Sequence, residues 1–398
     1  MKSVPMSERK YVSIFGNTNV GKSSLFNSII GQDIAIVSDF HGTTTDPIIK
    51  AMELIPFGPI VLVDTAGLND ETDLSNKRVK KTENIIDRTD LALYVCQANT
   101  FNKKDFEEAK KIFTNNNIPY ILIFNKCDIC MANVLQNLKK EYPEAIFTSI
   151  NDIDSLALLR SKMCDVLKKT DDNEDESMIN GLVPEGSTIC IIVPIDSQAP
   201  KGRLILPQVQ LIRDCLDHGI KCHIMRYSEF ELSHNEISTS KLVVVDSQIF
   251  GKVDKIIPKE IPLTSFSILL ARQKGNIKHL VDNAKSINNL KNGSKILIAE
   301  ACSHNHTHED IGRVKIPMLL EKYTGKQLQF EYRSGYEFPD DLNNYDIVVH
   351  CGSCMITKKT FQNRIKKCIQ AGVPITNYGI LLAYLNGILE RCCSSLNL

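Results

Sequence analysis

A nine-residue phosphate-binding motif near the start of the sequence constrains the fold more than any other feature. Residues 16–24 read Gly-Asn-Thr-Asn-Val-Gly-Lys-Ser-Ser, between an apolar run that ends at Phe15 and a helix-like pattern that begins at Leu25. A G-x-x-x-x-G-K-S spacing between a strand and a helix is typical of a P-loop, in which backbone N–H groups hold the β- and γ-phosphates, Lys22 adds positive charge and the Ser23 hydroxyl reaches Mg²⁺. An ordinary glycine-bearing turn is the alternative, and the motifs downstream count against it.

Three further motifs indicate which nucleotide binds. Asp-Thr-Ala-Gly at 64–67 follows an apolar run, which puts a carboxylate for Mg²⁺ and a glycine N–H for the γ-phosphate at a strand end. Asn-Lys-Cys-Asp at 125–128 also follows a strand-like run, and the Asp128 carboxylate can accept hydrogen bonds from guanine N1 and N2, a donor pair that adenine lacks. Thr-Ser-Ile at 148–150 lies where a backbone N–H usually meets guanine O6. Together these motifs predict a GTPase.

A polar segment between the first two motifs supplies the remaining expected ligand of Mg²⁺. It reads Gly-Thr-Thr-Thr-Asp-Pro at 42–47, and Thr44 is expected to bring its hydroxyl to the metal. Lys22, Thr44 and Gly67 are expected to act directly in hydrolysis. The predicted GTP site consists of Gly16, Asn17, Asn19, Gly21, Lys22, Ser23, Ser24, Thr44, Asp64, Gly67, Asn125, Lys126, Asp128, Ser149 and Ile150.

The order of these motifs resembles the translation-factor-like branch of P-loop GTPases. Within it, the tRNA-modification and ribosome-assembly GTPases have a second motif that reads Gly-Thr-Thr-Arg-Asp, and Thr45 stands where that group has arginine. Leu68 stands where Ras-like proteins have the glutamine that positions water. The resemblance implies that K⁺, held partly by Asn19, supplies positive charge in the transition state. A loop-shaping role for Asn19 is the alternative.

Composition excludes several classes of protein. The 398 residues include 47 basic and 47 acidic side chains, so no net charge attracts nucleic acid or anionic lipid. The chain has neither an apolar signal core at its start nor an apolar run of the roughly 18 to 20 residues that cross a membrane. We therefore expect a cytoplasmic protein without nucleic-acid or membrane partners. In that compartment the 13 cysteines are expected to be reduced thiols, some of them metal ligands.

The chain is long enough for two or three domains. Short β-like runs alternate with helix-like segments from about residue 11 to 167, which predicts a parallel-type sheet, and the acidic run 171–177 is expected to be a linker. Further strand-like runs lie at 188–193, 221–226, 242–245, 295–299 and 346–350. We expect an α/β protein with a P-loop GTPase domain at 1–175 and two smaller α/β domains at 181–262 and 263–398.

Cysteine and histidine are concentrated in two short segments of the third predicted domain. The segment 302–308 reads Cys-Ser-His-Asn-His-Thr-His, and the segment 350–354 reads His-Cys-Gly-Ser-Cys. Each follows a strand-like run, so both can emerge at one edge of a sheet. Cys302, Cys351 and Cys354 can then bind one metal centre, and either zinc with Cys₃His ligation or an iron–sulfur cluster fits.

A GTPase domain followed by C-x-H and then H-C-x-x-C resembles the HydF family, the maturation GTPases of FeFe-hydrogenases. The segments Pro-Ile-Asp-Ser-Gln-Ala-Pro-Lys-Gly-Arg-Leu-Ile-Leu-Pro at 194–207 and 304–317 are also similar to that family. The resemblance implies a middle domain that forms a homodimer and a C-terminal domain whose Cys302, Cys351 and Cys354 bind a 4Fe-4S cluster. His304 and His350 are candidate fourth ligands, and Asp196 is a weaker one.

The same resemblance implies a scaffold and carrier. Such a protein receives the diiron subcluster precursor made with two radical-SAM maturases and delivers it to apo FeFe-hydrogenase, with GTP hydrolysis as a switch. The alternatives are a tRNA-modification or ribosome-assembly GTPase with a structural zinc, and a GTP-regulated interaction protein whose cysteines are incidental. Neutral charge and the lack of a recognisable RNA-binding motif count against the RNA-directed alternative.

Overall fold

The computed structural model describes residues 4–31, 38–40, 47–65, 84–171, 177–194, 204–230, 234–301 and 311–396. The chain divides into two compact units, residues 1–174 and 175–398. Among the helices that the structure describes, none is long and apolar enough to cross a membrane.

Within the described ranges, the first unit is a seven-stranded sheet with helices. Its strands, in the order in which they lie across the sheet, are β2 (Ser38–Phe40), β3 (Ile48–Leu54), β4 (Gly58–Asp64), β1 (Lys10–Phe15), β5 (Leu91–Gln97), β6 (Tyr120–Asn125) and β7 (Ile146–Phe147). All neighbouring pairs are parallel except β2 with β3 and β3 with β4. The helices with assigned bounds are α1 (Lys22–Ile30), α2 (Lys103–Asn115), α3 (Ala132–Glu141) and α4 (Ile153–Asp171).

Buried apolar side chains on both faces of this sheet explain why the strands form. In β5 the first six residues, Leu-Ala-Leu-Tyr-Val-Cys, are all buried, as expected of a central parallel strand covered by helices on both sides. Because β4, β1, β5 and β6 are neighbours and parallel, their carboxyl ends meet at one edge of the sheet. The predicted α/β fold with a parallel-type sheet is confirmed.

The second unit contains, within its described residues, two four-stranded parallel sheets. The first has β11 (Leu263–Ser265), β10 (Leu242–Val245), β8 (Thr188–Val193) and β9 (Lys221–Arg226), in that order. The second has β13 (Gln329–Ser334), β12 (Lys295–Glu300), β14 (Ile347–His350) and β15 (Ile375–Asn377). The helices are α5 (Leu206–Asp217), α6 (His234–Ser238), α7 (Phe250–Val253), α8 (Phe266–Lys274), α9 (Ile277–Ala284), α10 (Ile316–Thr324), α11 (Lys358–Gln370), α12 (Tyr378–Leu385) and α13 (Leu389–Cys393).

One apolar core runs through both sheets of this unit. A partly buried ion pair also links the two regions, because Arg391 on α13 donates to the Asp254 carboxylate at 2.6 Å and to the Ile261 carbonyl at 3.0 Å, just before β11. The start of the third domain that the sequence suggests, residue 263, falls inside the first of these sheets, since β11 pairs with β10. The acidic residues 172–176 of the expected linker lie outside the described residues.

Candidate functional sites

Glycine is required at two positions of the phosphate-binding loop. Gly16, directly after β1, has φ +142°, and a Cβ there would clash with the carbonyl oxygen of Val95 on β5. Gly21 has φ +95°, and a Cβ there would lie 2.5 Å from the side-chain nitrogen of Asn125. Backbone and side chains of two neighbouring strands thus press against the loop, which only glycine permits.

Lys22 begins α1 and lies inside the loop. Its side chain is buried, and its Nζ donates to the carbonyl oxygen of Asn17 at 2.7 Å. Ser23 and Ser24, in the same first turn, are exposed. The first turn of a helix presents backbone N–H groups and a partial positive charge, so this arrangement suits a phosphate.

Asp64 ends β4 beside the loop, in register with Ile14 of β1. Burial raises the pKa of this carboxyl, while a hydrogen bond from Ser23 and the charge of Lys22 lower it. Its Oδ1 is buried and has no hydrogen-bond partner among the residues that the structure describes. A buried carboxylate oxygen without a donor, next to the Ser23 hydroxyl, fits the ligand set that Mg²⁺ prefers.

The guanine motif is tied directly to the phosphate-binding loop. Asn125, at the end of β6, donates from Nδ2 to the carbonyl oxygen of Val20 at 3.0 Å. Lys126, with φ +59°, donates from Nζ to the carbonyl oxygen of Asn19 at 2.8 Å. Asp128 follows in a short 3₁₀ helix and is exposed, so its carboxylate is accessible to a base. Asn125 and Lys126 therefore hold the phosphate-binding loop, whereas Asp128 stays exposed.

The segment after β7 is joined to the same motif. The Thr148 hydroxyl donates to Asn125 Oδ1 at 3.3 Å, and the Thr148 carbonyl accepts from the Cys127 N–H at 3.1 Å. Ser149 is buried and Ile150 is exposed. Ser149 and Ile150 follow Thr148 directly, and their role at the guanine site stays a prediction.

Several contacts in this site involve residues that the sequence did not single out. Asn17, expected only as a nucleotide contact, donates from its side chain to Asp105 on α2 at 2.7 Å. Gln97, at the end of β5, accepts from Lys126 Nζ at 3.4 Å. No local pattern marks either acceptor. Thr44 and Gly67, together with Thr45 and Leu68, lie outside the described residues.

The two cysteine-bearing segments follow neighbouring parallel strands, as predicted. In the β12 and β14 pair, Ala299 lies opposite His350, so residue 302 and the turn 351–354 follow strands that end at the same edge. Cys351 Sγ is buried and accepts hydrogen bonds from the Ala301 N–H at 3.0 Å and the Ser353 N–H at 3.5 Å. A sulfur that accepts backbone N–H groups suits a thiolate bound to a metal cluster.

Without a metal, the thiols of this turn are held neutral. Burial raises the pKa of Cys351, although N–H donors from Ser353 and Ala301 lower it. Burial also raises the pKa of Cys354 to about 12, and the nearby Cys351 adds to that rise. Because two neighbouring buried thiols resist ionisation unless a cation compensates them, the turn suits a positively charged metal centre.

His350 is fully buried and already bonded at both ring nitrogens. Nδ1 donates to the carbonyl oxygen of Cys351 at 2.9 Å, and Nε2 accepts from Arg364 at 2.9 Å. Burial and the charge of Arg364 lower its pKa to about 3, so the ring is neutral. A His350 that reaches a metal would have to break one of these bonds, and the geometry therefore favours a positioning role over its expected role as a fourth ligand.

The remaining predicted ligands lie outside the described residues: Cys302, His304 and Asp196. Among the residues that are described, no three histidine, cysteine or acidic side chains gather as a metal site would need. Cys351 and Cys354 thus form the described half of the predicted centre.

Three family models match consecutive parts of the chain. Residues 11–126 match the model described as 50S ribosome-binding GTPase. Residues 178–275 match the hydrogen maturase F dimerization domain, and residues 278–395 match the hydrogen maturase F tetramerization domain.

Individual relatives match parts of the chain. The tRNA modification GTPase MnmE of Mycoplasma mycoides subsp. mycoides SC is 37% identical over 179 residues, which is 44% of this chain and 38% of MnmE. The GTPase Era of Geobacter sp. (strain M21) is 29% identical over 250 residues, 61% of this chain and 74% of Era. The crystal structure of the G domain of the T. maritima FeoB iron transporter is 21% identical, with a TM-score of 0.31, and the match covers 40% of this chain and 99% of that domain. The chain thus spans well under two thirds of the MnmE relative.

Proposed function

Because the chain belongs to the hydrogen maturase F family, we propose that it is a GTP-hydrolysing scaffold that holds a 4Fe-4S cluster and delivers a diiron subcluster precursor to apo FeFe-hydrogenase. The observation that carries the proposal is the order of the matches, a GTPase followed by the dimerization and tetramerization domains of that family. Two radical-SAM maturases are the proposed source of the precursor.

The nucleotide chemistry rests on the residues around the P-loop. Lys22 and the first turn of α1 bind the phosphates, Ser23 and Asp64 hold Mg²⁺, and Asp128 selects guanine. The buried Asp64 Oδ1, which has no hydrogen-bond partner among the described residues, supports the magnesium role. Thr44 and Gly67 complete the proposed set, as the motif order implies. None of these residues belongs to the cysteine-bearing unit, so GTP turnover is separate from the cluster chemistry. We therefore assign GTP turnover the role of a switch.

We expect GTP hydrolysis to be slow and stimulated by K⁺. Leu68 stands where a water-positioning glutamine would act, and unassisted GTPases of this kind turn over at roughly 10⁻⁴ to 10⁻² per second. Asn19 is exposed at φ +61° in the loop, and its carbonyl is held by Lys126, so its side chain can contribute to a cation site. Rates should be measured in K⁺ and Na⁺ for the wild type and Asn19→Ala. Equal wild-type rates in both salts would remove the cation role, and an unchanged salt ratio in Asn19→Ala would remove Asn19 from it.

The cluster is proposed to bind through Cys302, Cys351 and Cys354. The N–H donors on Cys351 Sγ support this assignment for the described part of the site. A cluster held by three thiolates has one iron without a cysteine ligand, which supplies an exchangeable position for a second iron unit. His304 remains a proposed ligand of that iron, whereas His350 and Arg364 orient the turn that carries Cys351.

The proposed homodimer forms through the segment 181–262, as the match to a dimerization domain supports. β9 is the edge strand of its sheet, and four of its six residues are exposed, among them Ile224 at 46%. An exposed edge with unpaired backbone groups and an apolar side chain is a natural place for strand addition. The match of residues 278–395 supports further assembly into tetramers by the same region that holds the cysteines.

We expect a chain that lacks residues 1–175 to remain at least dimeric, since any further assembly through residues 278–395 would only add to its mass. Its Ile224→Lys variant should lose the interface at β9 and show half that mass by light scattering, because the charge would be buried in the interface, which costs free energy unless it is paired. Leu216→Lys, on α5 in the same segment and 67% exposed, is the matched control and should keep the mass of the truncated chain. A halved mass in this control beside an unchanged mass in Ile224→Lys would place the interface at α5.

The proposed function as a whole is tested on anaerobically purified protein. A broad sulfur-to-iron absorption, together with activation of apo FeFe-hydrogenase, is expected. A colourless protein that contains zinc would instead favour an RNA-directed GTPase of the MnmE or Era kind.

A further inference from the structure

The cysteine-bearing turn rests on a helix from another part of the chain. Lys274, the last residue of α8, is only 4% exposed. Its Nζ donates to the carbonyl oxygen of Ser353 at 3.1 Å and to that of Ile356 at 2.9 Å. These two carbonyls flank Cys354, so one buried lysine holds the turn on both sides of a predicted cluster ligand.

The same helix contacts the first half of the turn. A Cβ on Gly352 would lie 3.4 Å from Ser267 Oγ and 3.7 Å from Leu270 Cδ1, both on α8. The backbone of the turn therefore lies in close contact with the helix. Ser353, which follows, has φ +56°, an unusual conformation for a residue other than glycine, and its N–H donates to Cys351 Sγ. A conformation of this kind persists only where its surroundings hold it in place.

α8 and the turn lie in different matched regions. Residues 266–274 fall within the dimerization match, and residues 351–354 fall within the tetramerization match. The described half of the cysteine site is thus built from both regions, and the lysine that contacts it belongs to no cysteine or histidine pattern.

We propose that Lys274 is a positioning residue for the cluster: it holds the turn so that Cys351 and Cys354 are ready to bind iron, and its positive charge raises the reduction potential of the bound cluster. The proposal rests on the proposed function, because the cluster is part of it. Cluster potentials depend on nearby charge, on hydrogen bonds around the sulfurs and on burial, and a reduced cluster carries one more negative charge.

The electrostatic part rests on where the charge lies. Lys274 Nζ donates to the carbonyl oxygens of Ser353 and Ile356, which flank Cys354, so its charge lies against the turn that carries this proposed ligand. Since the lysine is buried, solvent screens its charge less than it would screen that of a surface lysine. A cation at the end of α8 is also favourable for the helix itself, because it lies at the negative end of the helix dipole.

The positioning part is tested by hydrogen exchange of the full-length protein without metal. In Lys274→Met, amides of residues 351–357 are expected to exchange about tenfold faster, because two carbonyls lose their donor. Lys278→Met, the same change at an exposed lysine four residues away, should leave them unchanged. Unchanged exchange in Lys274→Met would overturn the positioning role. Lys274→Leu, which likewise has no donor, carries the same test if the methionine variant does not fold.

The effect of the Lys274 charge on the reduction potential is tested by redox titration of the reconstituted cluster, monitored by electron paramagnetic resonance. At a fixed potential we expect the ratio of reduced to oxidised cluster to fall about tenfold in Lys274→Met, equivalent to about 59 mV for one electron. Lys274→Arg, which keeps the charge, should restore most of the ratio, and Lys278→Met should not change it. An unchanged ratio in Lys274→Met would overturn the electrostatic role. A wild type that binds no iron would instead defeat the proposed function, while the exchange experiment on the metal-free protein still decides the positioning role.

Discussion

Replacement of Asp128 by asparagine is expected to lower the affinity for GTP by about a hundredfold or more and to shift preference toward xanthine nucleotides. In the proposed site the Asp128 carboxylate would accept from both guanine N1 and N2, whereas an asparagine amide offers one acceptor and one donor group. Leaving a mismatched polar pair in the site costs far more binding free energy than the loss of one hydrogen bond. Binding of labelled GTP and XTP to the purified variant measures the effect.

The structure supplies a contrasting variant in the same motif. Asn125→Ala removes the bonds to Val20 and Thr148, which hold the phosphate-binding loop and the guanine motif together. That variant should bind both GTP and XTP more weakly. Asp128→Asn should instead bind GTP more weakly and XTP more tightly. If Asp128→Asn weakens both nucleotides equally, Asp128 shapes the site and does not read the base. Unchanged GTP affinity would remove it from the site.

The fold of the described residues could be predicted largely from local patterns. β5 and β10 are runs of apolar residues, and both are buried throughout except for Gln97 at the end of β5. Strands of this kind are visible in sequence because burial on both faces needs nearly every side chain to be apolar. The pairing of β11 with β10 could not be predicted, since β11 has only three residues and its partner is set by tertiary structure.

The sites were predictable to the extent that their chemistry lies in contiguous motifs. The P-loop and the C-x-x-C turn carry their own spacing, and β12 and β14, the strands that precede the two cysteine segments in sequence, pair in parallel and end at one edge. Asp105, Gln97 and Lys274 were not predictable, because each acts through a partner between 29 and 88 residues away in sequence. The environment of His350 also depends on a distant residue, Arg364, which occupies the nitrogen that a metal would need.

Cys351→Ser is expected to abolish the iron–sulfur centre and hydrogenase activation while leaving GTP hydrolysis intact. Serine keeps an oxygen that can accept from the Ala301 and Ser353 N–H groups, so the turn should retain its fold. It cannot supply a thiolate, and two remaining cysteines are too few to hold the cluster. GTP hydrolysis should persist because Cys351 belongs to the second compact unit, whereas the P-loop and guanine motif belong to the first.

Cys368→Ser is the matched control for that prediction. Cys368 on α11 is buried in the same unit, and burial raises its pKa to about 12, so it undergoes the same chemical change in an apolar setting. Iron content, electron paramagnetic resonance of the reduced protein, GTP turnover and hydrogenase activation should be measured on both variants under anaerobic conditions. A normal cluster and full activation in Cys351→Ser would defeat the assignment. Loss of iron in both variants would mean that the core of the unit, and not a specific thiolate, had been damaged, whereas loss in Cys351→Ser alone identifies a ligand.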